Sequence, residues 1–323
     1  MILFRFILTF CLLTVFIFSC KTVEDNFDTD LGHDYLRLEV GKFIEYEVDS
    51  TIYDPTGDST VFSTRSYLRD VIVDTLLNNV GDILYRTERS FRRDTLDNWQ
   101  IQKVFTQSIE GNQGIQTIDN LRLIKLAFPI QEFNSWNPIV HIDPNTQIIV
   151  AGETLRPFLQ DGIWRARILE AEIPDTVGNF SFDETITLRE VNTTSYSFEE
   201  IQLNPDSLRT IEDDSPIELR VSHEKYAKGV GLVYRERWIL DTDKCQQECN
   251  PLEINYLNCY DPCFNSCLAN GSDSLSCETN CNFVDCVNQY SNFNDCRNFC
   301  EALPWVDKAT KGFIMRMRAI RFN

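Results

Sequence analysis

Ten cysteines crowd into residues 245–300: Cys245, Cys249, Cys259, Cys263, Cys267, Cys277, Cys281, Cys286, Cys296 and Cys300. The only others are Cys11 and Cys20. No other feature limits so tightly what this chain can become. An even number of thiols packed into so short a span reads as a disulfide framework, formed in an oxidising compartment. A zinc or iron–sulfur site is the competing use of cysteine. The segment has neither a histidine nor a Cys-x2-Cys pair, so no metal or cofactor is expected.

The spacing is regular. Units of Cys-x3-Cys-x9-Cys-x3-Cys follow one another and share their boundary cysteine, which reads as a three-fold internal repeat. Cysteines four apart lie on one face of a helix, and nine residues let an arm turn back. Inner rungs are therefore expected at Cys249–Cys259, Cys267–Cys277 and Cys286–Cys296. Cys245, Cys263, Cys281 and Cys300 then close either as Cys245–Cys263 with Cys281–Cys300 or as Cys263–Cys281 with Cys245–Cys300. The spacing is similar to that of small Cys-x3-Cys helical hairpin proteins. So few apolar residues cannot offset chain entropy alone, whereas each bridge contributes about 2–4 kcal/mol. Between Cys245 and Cys300 seven acids stand against Arg297, so the module, residues 244–304, reads as a rigid acidic projection.

The rest of the chain alternates. In 43–53, Ile44, Tyr46 and Val48 face one way and Glu45, Glu47 and Asp49 the other, the period of a half-buried antiparallel strand. Similar runs are 60–73, 82–91, 99–108, 115–128, 147–150, 162–172, 180–191, 217–225, 230–240 and 313–322. Turn residues separate them, among them Asn112-Gln113-Gly114 and Asp213-Asp214-Ser215-Pro216. The expectation is a mainly β fold, an antiparallel sandwich or incomplete barrel over 35–243 plus 305–323, with a small disulfide-rich helical-hairpin insertion before the last strand.

The N-terminus reads as an export signal. Arg5 precedes an apolar run from Phe6 to Phe18, too short for an ordinary membrane span and suited to a signal core. Ile17-Phe18-Ser19-Cys20 resembles a bacterial lipobox, which implies a signal peptide over 1–19 and acylation (palmitate) of Cys20. Several acyl chains at one site hold a protein on a bilayer. The polar stretch 20–34 reads as a tether, and Lys21 followed by Glu24-Asp25 resembles the acidic export tag of Bacteroidetes surface lipoproteins. A net charge of −19 excludes the basic footprint that a nucleic-acid binder needs.

Catalytic templates are missing. There is no Gly-x-Ser-x-Gly elbow, phosphate loop or dinucleotide fingerprint. His223-Glu224 lacks the second histidine of a zinc protease, His33 falls in the tether, and His141 precedes an Asp-Pro turn. Paired carboxylates are the remaining enzyme signal, at Glu45, Glu47 and Asp49 and at Asp213-Asp214; a glycosidase needs two across a cleft, one with a raised pKa. The basic groups Arg86, Arg89, Arg92, Arg93, Arg316, Arg318 and Arg321 read as partners for neighbouring acids.

Further segments carry a resemblance. Tyr35-Leu36-Arg37-Leu38-Glu39-Val40-Gly41-Lys42-Phe43-Ile44-Glu45-Tyr46 resembles the "Tyr-x-Pro-Leu-x-x-Gly-x-x-Trp-x-Tyr" opening of many bacterial lipoproteins, with Arg37 where that pattern has Pro and Ile44 where it has Trp. Tyr226-Ala227-Lys228-Gly229-Val230-Gly231-Leu232-Val233-Tyr234-Arg235-Glu236 resembles a segment of uncharacterised Bacteroidetes envelope lipoproteins. Asp-Ser/Thr steps such as Asp58-Ser59, Asp94-Thr95, Asp206-Ser207 and Asp273-Ser274 resemble the O-glycosylation signal of that group. The resemblance implies an address in the envelope, on the outer membrane, and no catalytic residues. The expected function is a non-enzymatic scaffold or binding module, held on a bilayer through Cys20, with a protein or glycan partner. The alternative is a two-carboxylate hydrolase acting on glycans.

Overall fold

The computed structural model describes residues 30–56, 60–143, 148–150, 153–155, 164–194 and 217–323. From Gly32 to Asn323 they belong to one unit. The signal peptide, Cys20, most of the tether and Asp213-Asp214 lie outside the described residues. Twelve strands form one antiparallel sheet: β1 (Phe43–Tyr53), β2 (Val61–Leu77), β3 (Ile83–Arg92), β4 (Gln100–Glu110), β5 (Gln113–Ile118), β6 (Leu121–Ala127), β7 (Ser135–Trp136), β10 (Ala166–Val177), β11 (Phe180–Thr194), β12 (Ile217–Ala227), β13 (Gly231–Thr242) and β14 (Lys311–Phe322). A separate hairpin pairs β8 (Ile148–Val150) with β9 (Glu153–Leu155). The sheet order is β6-β5-β4-β3-β2-β1-β14-β13-β12-β11-β10-β7.

The two edges of this sheet meet. β7 pairs with β10, Trp136 opposite Ala166. On its other side the same segment reaches β6: the Ile124 N–H donates to the Pro138 carbonyl at 2.9 Å, and the Trp136 indole N–H donates to the Ile124 carbonyl at 3.0 Å. The sheet is therefore an almost closed barrel, one of the two architectures that the alternation allowed, and its edges are covered. At Gly312, with φ +108°, an added Cβ would sit 1.9 Å from the Ile239 carbonyl. Only glycine lets β14 enter so close to β13.

Several strand boundaries differ from the alternation; the run 60–73 extends to Leu77, and the run 162–172 is a strand over Ala166–Val177. The run 115–128 is two strands, because Asp119 and Asn120 adopt positive φ (50° and 62°), the geometry of a tight hairpin turn that these residue types tolerate. Gln113 and Gly114 belong to β5 rather than to a turn; the reversal lies just before them, where Gly111 has φ 58°. His33 and Asp34, read as tether, form a 3-10 turn with the buried Tyr35. That residue packs with Leu36, Leu126, Phe128, Ile168, Ile186 and Leu188 in the largest apolar cluster.

Between β13 and β14 runs a helical hairpin. α1 (Lys244–Ala269) goes out; α2 (Ser274–Asn280), a π-helical turn (Cys281–Asp285) and α3 (Val287–Glu301) return; α4 (Trp305–Lys308) leads into β14. Five disulfides hold it: Cys245–Cys300, Cys249–Cys296, Cys259–Cys286, Cys263–Cys281 and Cys267–Cys277. The Cys267–Cys277 rung is the one expected from spacing, and the outer cysteines close as Cys263–Cys281 with Cys245–Cys300. The expected rungs Cys249–Cys259 and Cys286–Cys296 are wrong. α1 does not turn between Cys249 and Cys259, and ten helical steps separate their Cα atoms by about 15 Å, far beyond disulfide reach. The module is one nested ladder rather than three repeats. Tyr256 stacks on Phe293 at 6.0 Å between its arms. No helix among the described residues is long and apolar enough to cross a membrane.

Candidate binding site in the barrel interior

Strand alternation points one face of each strand into the barrel, and most of that face is apolar. The exception is a layer of charge. Lys125 of β6, Glu190 of β11, and Glu224 of β12 are all buried. The Lys125 ammonium bonds Glu190 and lies 2.8 Å from Glu224 Oε1. β6 stands at one edge of the sheet order and β11 and β12 near the other, so this contact exists only because the sheet is rolled.

Each carboxylate is filled by donors. Glu190 accepts from Lys125, from Ser222 Oγ at 2.7 Å and from Arg237 Nη2 at 2.8 Å. Glu224 accepts from Lys125, from Arg235 Nε at 2.6 Å and from the Tyr226 hydroxyl at 2.7 Å. Register explains the convergence: Glu224 faces Arg235 and Ser222 faces Arg237 across the β12–β13 pair. Glu190 arrives by another device. The β11–β12 register slips between Arg189 and Val191, and this bulge re-aims one residue, so that Glu190 and Val191 are both buried.

A second pair extends the layer. Arg89 of β3 donates to both carboxylate oxygens of Asp70 on β2, at 2.7 and 2.6 Å, and its guanidinium lies over the Phe105 ring. The Tyr46 hydroxyl donates to the Leu232 carbonyl at 2.9 Å. These groups border a cavity of about 70 Å³, several times the space that one water occupies.

The electrostatics follow from burial and charge. Burial alone would raise the Glu190 carboxyl, yet Lys125, Arg237 and Arg235 hold it well below the usual carboxylate range. Burial and Glu190 push Glu224 up, while Arg235, Lys125 and Arg237 outweigh them and lower it. Burial would strip the proton from Arg235, but Glu224 and Glu190 raise its pKa above the ordinary value. Burial pushes the Tyr46 and Tyr226 phenols far up, so both stay neutral.

The acids singled out in the sequence lie elsewhere. Glu47 and Asp49 face outward and bond Arg65, and Glu47 also holds Arg318. Glu45, though buried, sits on that same outward row beside Arg69 and Arg321 at 3.6 and 3.8 Å. They form an ion-pair ladder across β1, β2 and β14; Asp49 borders an open hollow with Arg65 and Arg316, and among the described residues no second carboxylate lines it. Five of the seven arginines pair with acids as expected: Arg86 with Asp74 and Glu88, Arg89 with Asp70, Arg316 with Glu236, Arg318 with Glu47 and Arg321 with Glu45; Arg92 instead lies over the Trp99 ring and donates to the Thr95 carbonyl. His223 stands opposite Glu236 on β13, and burial lowers its pKa. The His33 ring packs edge-on against Phe128, and His141 is exposed. Of the Asp-Ser/Thr steps, Asp94 accepts a backbone N–H bond in a turn and Asp273 accepts one as the N-cap of α2, while Asp58 and Asp206 lie outside the described residues. Cys263, Cys281 and Asp285 cluster closely enough to hold a metal, but the two sulfurs are bonded to each other.

Sequence reasoning missed Lys125, Glu190 and Glu224. One signal was present: in Leu123–Ala127 a lysine interrupts an otherwise apolar stretch between Ile124 and Leu126. Comparison with protein-family models, with curated proteins and with solved structures finds no match for this chain.

Proposed function

We propose that this chain is a lipid-anchored protein of the bacterial envelope, on the outer membrane, whose barrel is a non-enzymatic binding module and whose hairpin projects toward a protein or glycan partner. The observation that carries the binding reading is the state of Glu190 and Glu224. They are the buried, facing carboxylates that a two-acid hydrolase would use. A general acid must hold its proton near neutral pH, and both of these are kept ionised and filled with donors. Such groups hold shape and charge; they do not shuttle protons. Five disulfides support folding in an oxidising compartment, which agrees with the lipobox-like residues at Cys20.

Intact-mass analysis of the protein extracted from membranes tests the anchoring. The expected product begins at an acylated Cys20 and lacks the hydrogens of ten thiols, and Cys20→Ala releases it from the membrane. A full-length, unprocessed product with free thiols overturns the reading. Turnover of a glycan substrate by the purified protein, abolished in Glu190→Gln, would instead establish the hydrolase.

A further inference from the structure

The hairpin between β2 and β3 breaks the pattern of one apolar and one polar face. Leu76 stands opposite Leu84 and Leu77 opposite Ile83. Neighbouring residues on a strand point to opposite faces, so both faces of this tip are apolar. Both are also open to solvent: Leu76, Leu77 and Ile83 are 47%, 72% and 51% exposed, and Val80 in the turn is 82% exposed. β1 pairs with β2 as far as Val71, and β4 pairs with β3 as far as Tyr85, so the tip stands beyond both neighbours.

The turn closes hydrogen bonds on itself. The Asn78 N–H donates to the Asp82 carbonyl at 3.0 Å and the Gly81 N–H to the Asn78 carbonyl at 3.1 Å. The Asn78 side-chain oxygen accepts from the Val80 and Asp82 N–H groups, both at 2.9 Å. Backbone groups paired in this way lose little when water is withdrawn. The ion pair of Asp74 with Arg86, at 2.7 Å, comes three residues before Leu77, about 10 Å at the rise of a strand. The apolar cap thus matches the depth of about 5–10 Å to which peripheral elements enter the boundary between headgroups and acyl chains.

This tip lies at the end of the barrel where the chain arrives. The barrel unit begins at Gly32, and the Asp34 carbonyl accepts from the Gly229 N–H at 3.0 Å in the turn between β12 and β13. That turn, the start of β1 and the β2–β3 hairpin share one end of the sheet; α1 leaves from the other, where Tyr53 pairs with Gly312. Cys20 precedes Gly32 by twelve residues, which span at most about 40 Å extended and about 20 Å as a flexible chain.

We propose that the Leu76–Leu84 tip docks into a zwitterionic phospholipid surface, standing the barrel on the bilayer with the cysteine hairpin directed away from it. This rests on the acylated Cys20 of the reading above: the acyl chains hold the protein, and the tip sets its orientation. The formal charge of the chain is −19, and the one charge in the turn, Asp82, is an acid. Neither offers an anionic surface the basic cluster that it attracts. Leu96 and Ile101 are exposed too, but they lie past the far end of β3, about 30 Å along the strand, out of reach of a bilayer at the tip.

The test places the processed, acylated chain, with its disulfides intact, on phosphatidylcholine vesicles. A polarity-sensitive fluorophore is attached to Val80→Cys, Leu96→Cys or Leu275→Cys, the last in α2. The Val80 label is expected to shift to the blue and to be quenched by lipids spin-labelled near the headgroup, while the other two emit as in water. Phosphatidylglycerol should leave that shift unchanged or reduce it. Leu77→Asp, at an exposed site, should keep the melting temperature and cancel the Val80 shift.

A protein that floats with the vesicles while its Val80 label stays in water overturns the docking surface and leaves the anchor standing. Quenching at Leu96 or Leu275 instead does the same. A Val80 shift seen in native membranes but not on pure lipid assigns the tip to a protein partner and overturns the lipid surface. A shift that needs phosphatidylglycerol, or that survives Leu77→Asp, removes the apolar, zwitterionic basis. A product without acyl chains that does not float overturns the anchoring reading and this proposal with it.

Discussion

Lys125 is the residue on which the interior layer turns, because its ammonium reaches both buried glutamates from the opposite end of the sheet order. Lys125→Met would leave Glu190 and Glu224 facing each other with one cation fewer. Breaking a buried ion pair by removing one partner costs about 3–5 kcal/mol, and denaturant unfolding should show a loss of that size. By contrast, Arg65→Ala, at a half-exposed member of the outer ladder, should cost no more than about 1 kcal/mol. The pH dependence has a definite sign. Both glutamates titrate lower in the folded chain than in the unfolded one. Their contribution is therefore complete above the unfolded carboxylate pKa of about 4.3 and is lost as pH falls through the lowered folded values. Lys125→Met should move the acid-unfolding midpoint upward, read by circular dichroism against pH. At this scale the sequence hid most of the site. Alternation marks Tyr46 and Val48 as inward, but nothing local announces that a bulge will aim Glu190 into the barrel, or that β6 will roll round to meet β12.

At the scale of elements, the helical ladder shows what spacing does and does not convey. On α1, Cys245, Cys249, Cys259, Cys263 and Cys267 fall within a stripe about 80° wide at about 100° per residue. From the hairpin tip outward, α1 spaces its cysteines by 4, 4, 10 and 4 residues, and the returning arm by 4, 5, 10 and 4. The two arms mirror each other apart from one extra residue. The π-helical turn Cys281–Asp285 absorbs it: the Cys286 N–H reaches back five residues to the Cys281 carbonyl at 2.8 Å and brings the later cysteines round to the shared seam. The same numbers read as a three-fold repeat until the helix is known to continue past Cys249. Two prolines obscured that continuity: Pro251 and Pro262 lie inside α1, where proline costs about 3 kcal/mol. The bridges flanking them hold the helix together. Deleting the exposed Val284 should therefore be tolerated, the turn becoming ordinary α-helix with all five bridges retained in a non-reducing peptide map. Deleting Ile254 from α1 should scramble Cys245 and Cys249 relative to the rest. Reduction of the bridges should erase most of the helical circular dichroism.

For the whole molecule, the barrel depends on a narrow seam. Its long strands pair along their length, and their alternation made the β architecture legible. The closure was not, because β7 contributes only Ser135 and Trp136 and carries no periodic signal. Trp136→Phe keeps the ring but removes the indole donor to Ile124, so a loss of about 0.5–1.5 kcal/mol is expected. Hydrogen exchange should quicken first in β6, next to the seam, while β1 and β14 remain protected. Quickened exchange spread evenly over the barrel would mean that the seam is not where it opens.

β13 and β14 are neighbours in the sheet, with Asp241 opposite Lys311. The polypeptide thus leaves the barrel and rejoins it at one doorway, and everything from α1 to α3 hangs from that doorway as a sulfur-stitched cassette. An evolving lineage can lengthen, shorten or exchange such a cassette without redrawing the container behind it, provided that the two gateposts keep their register.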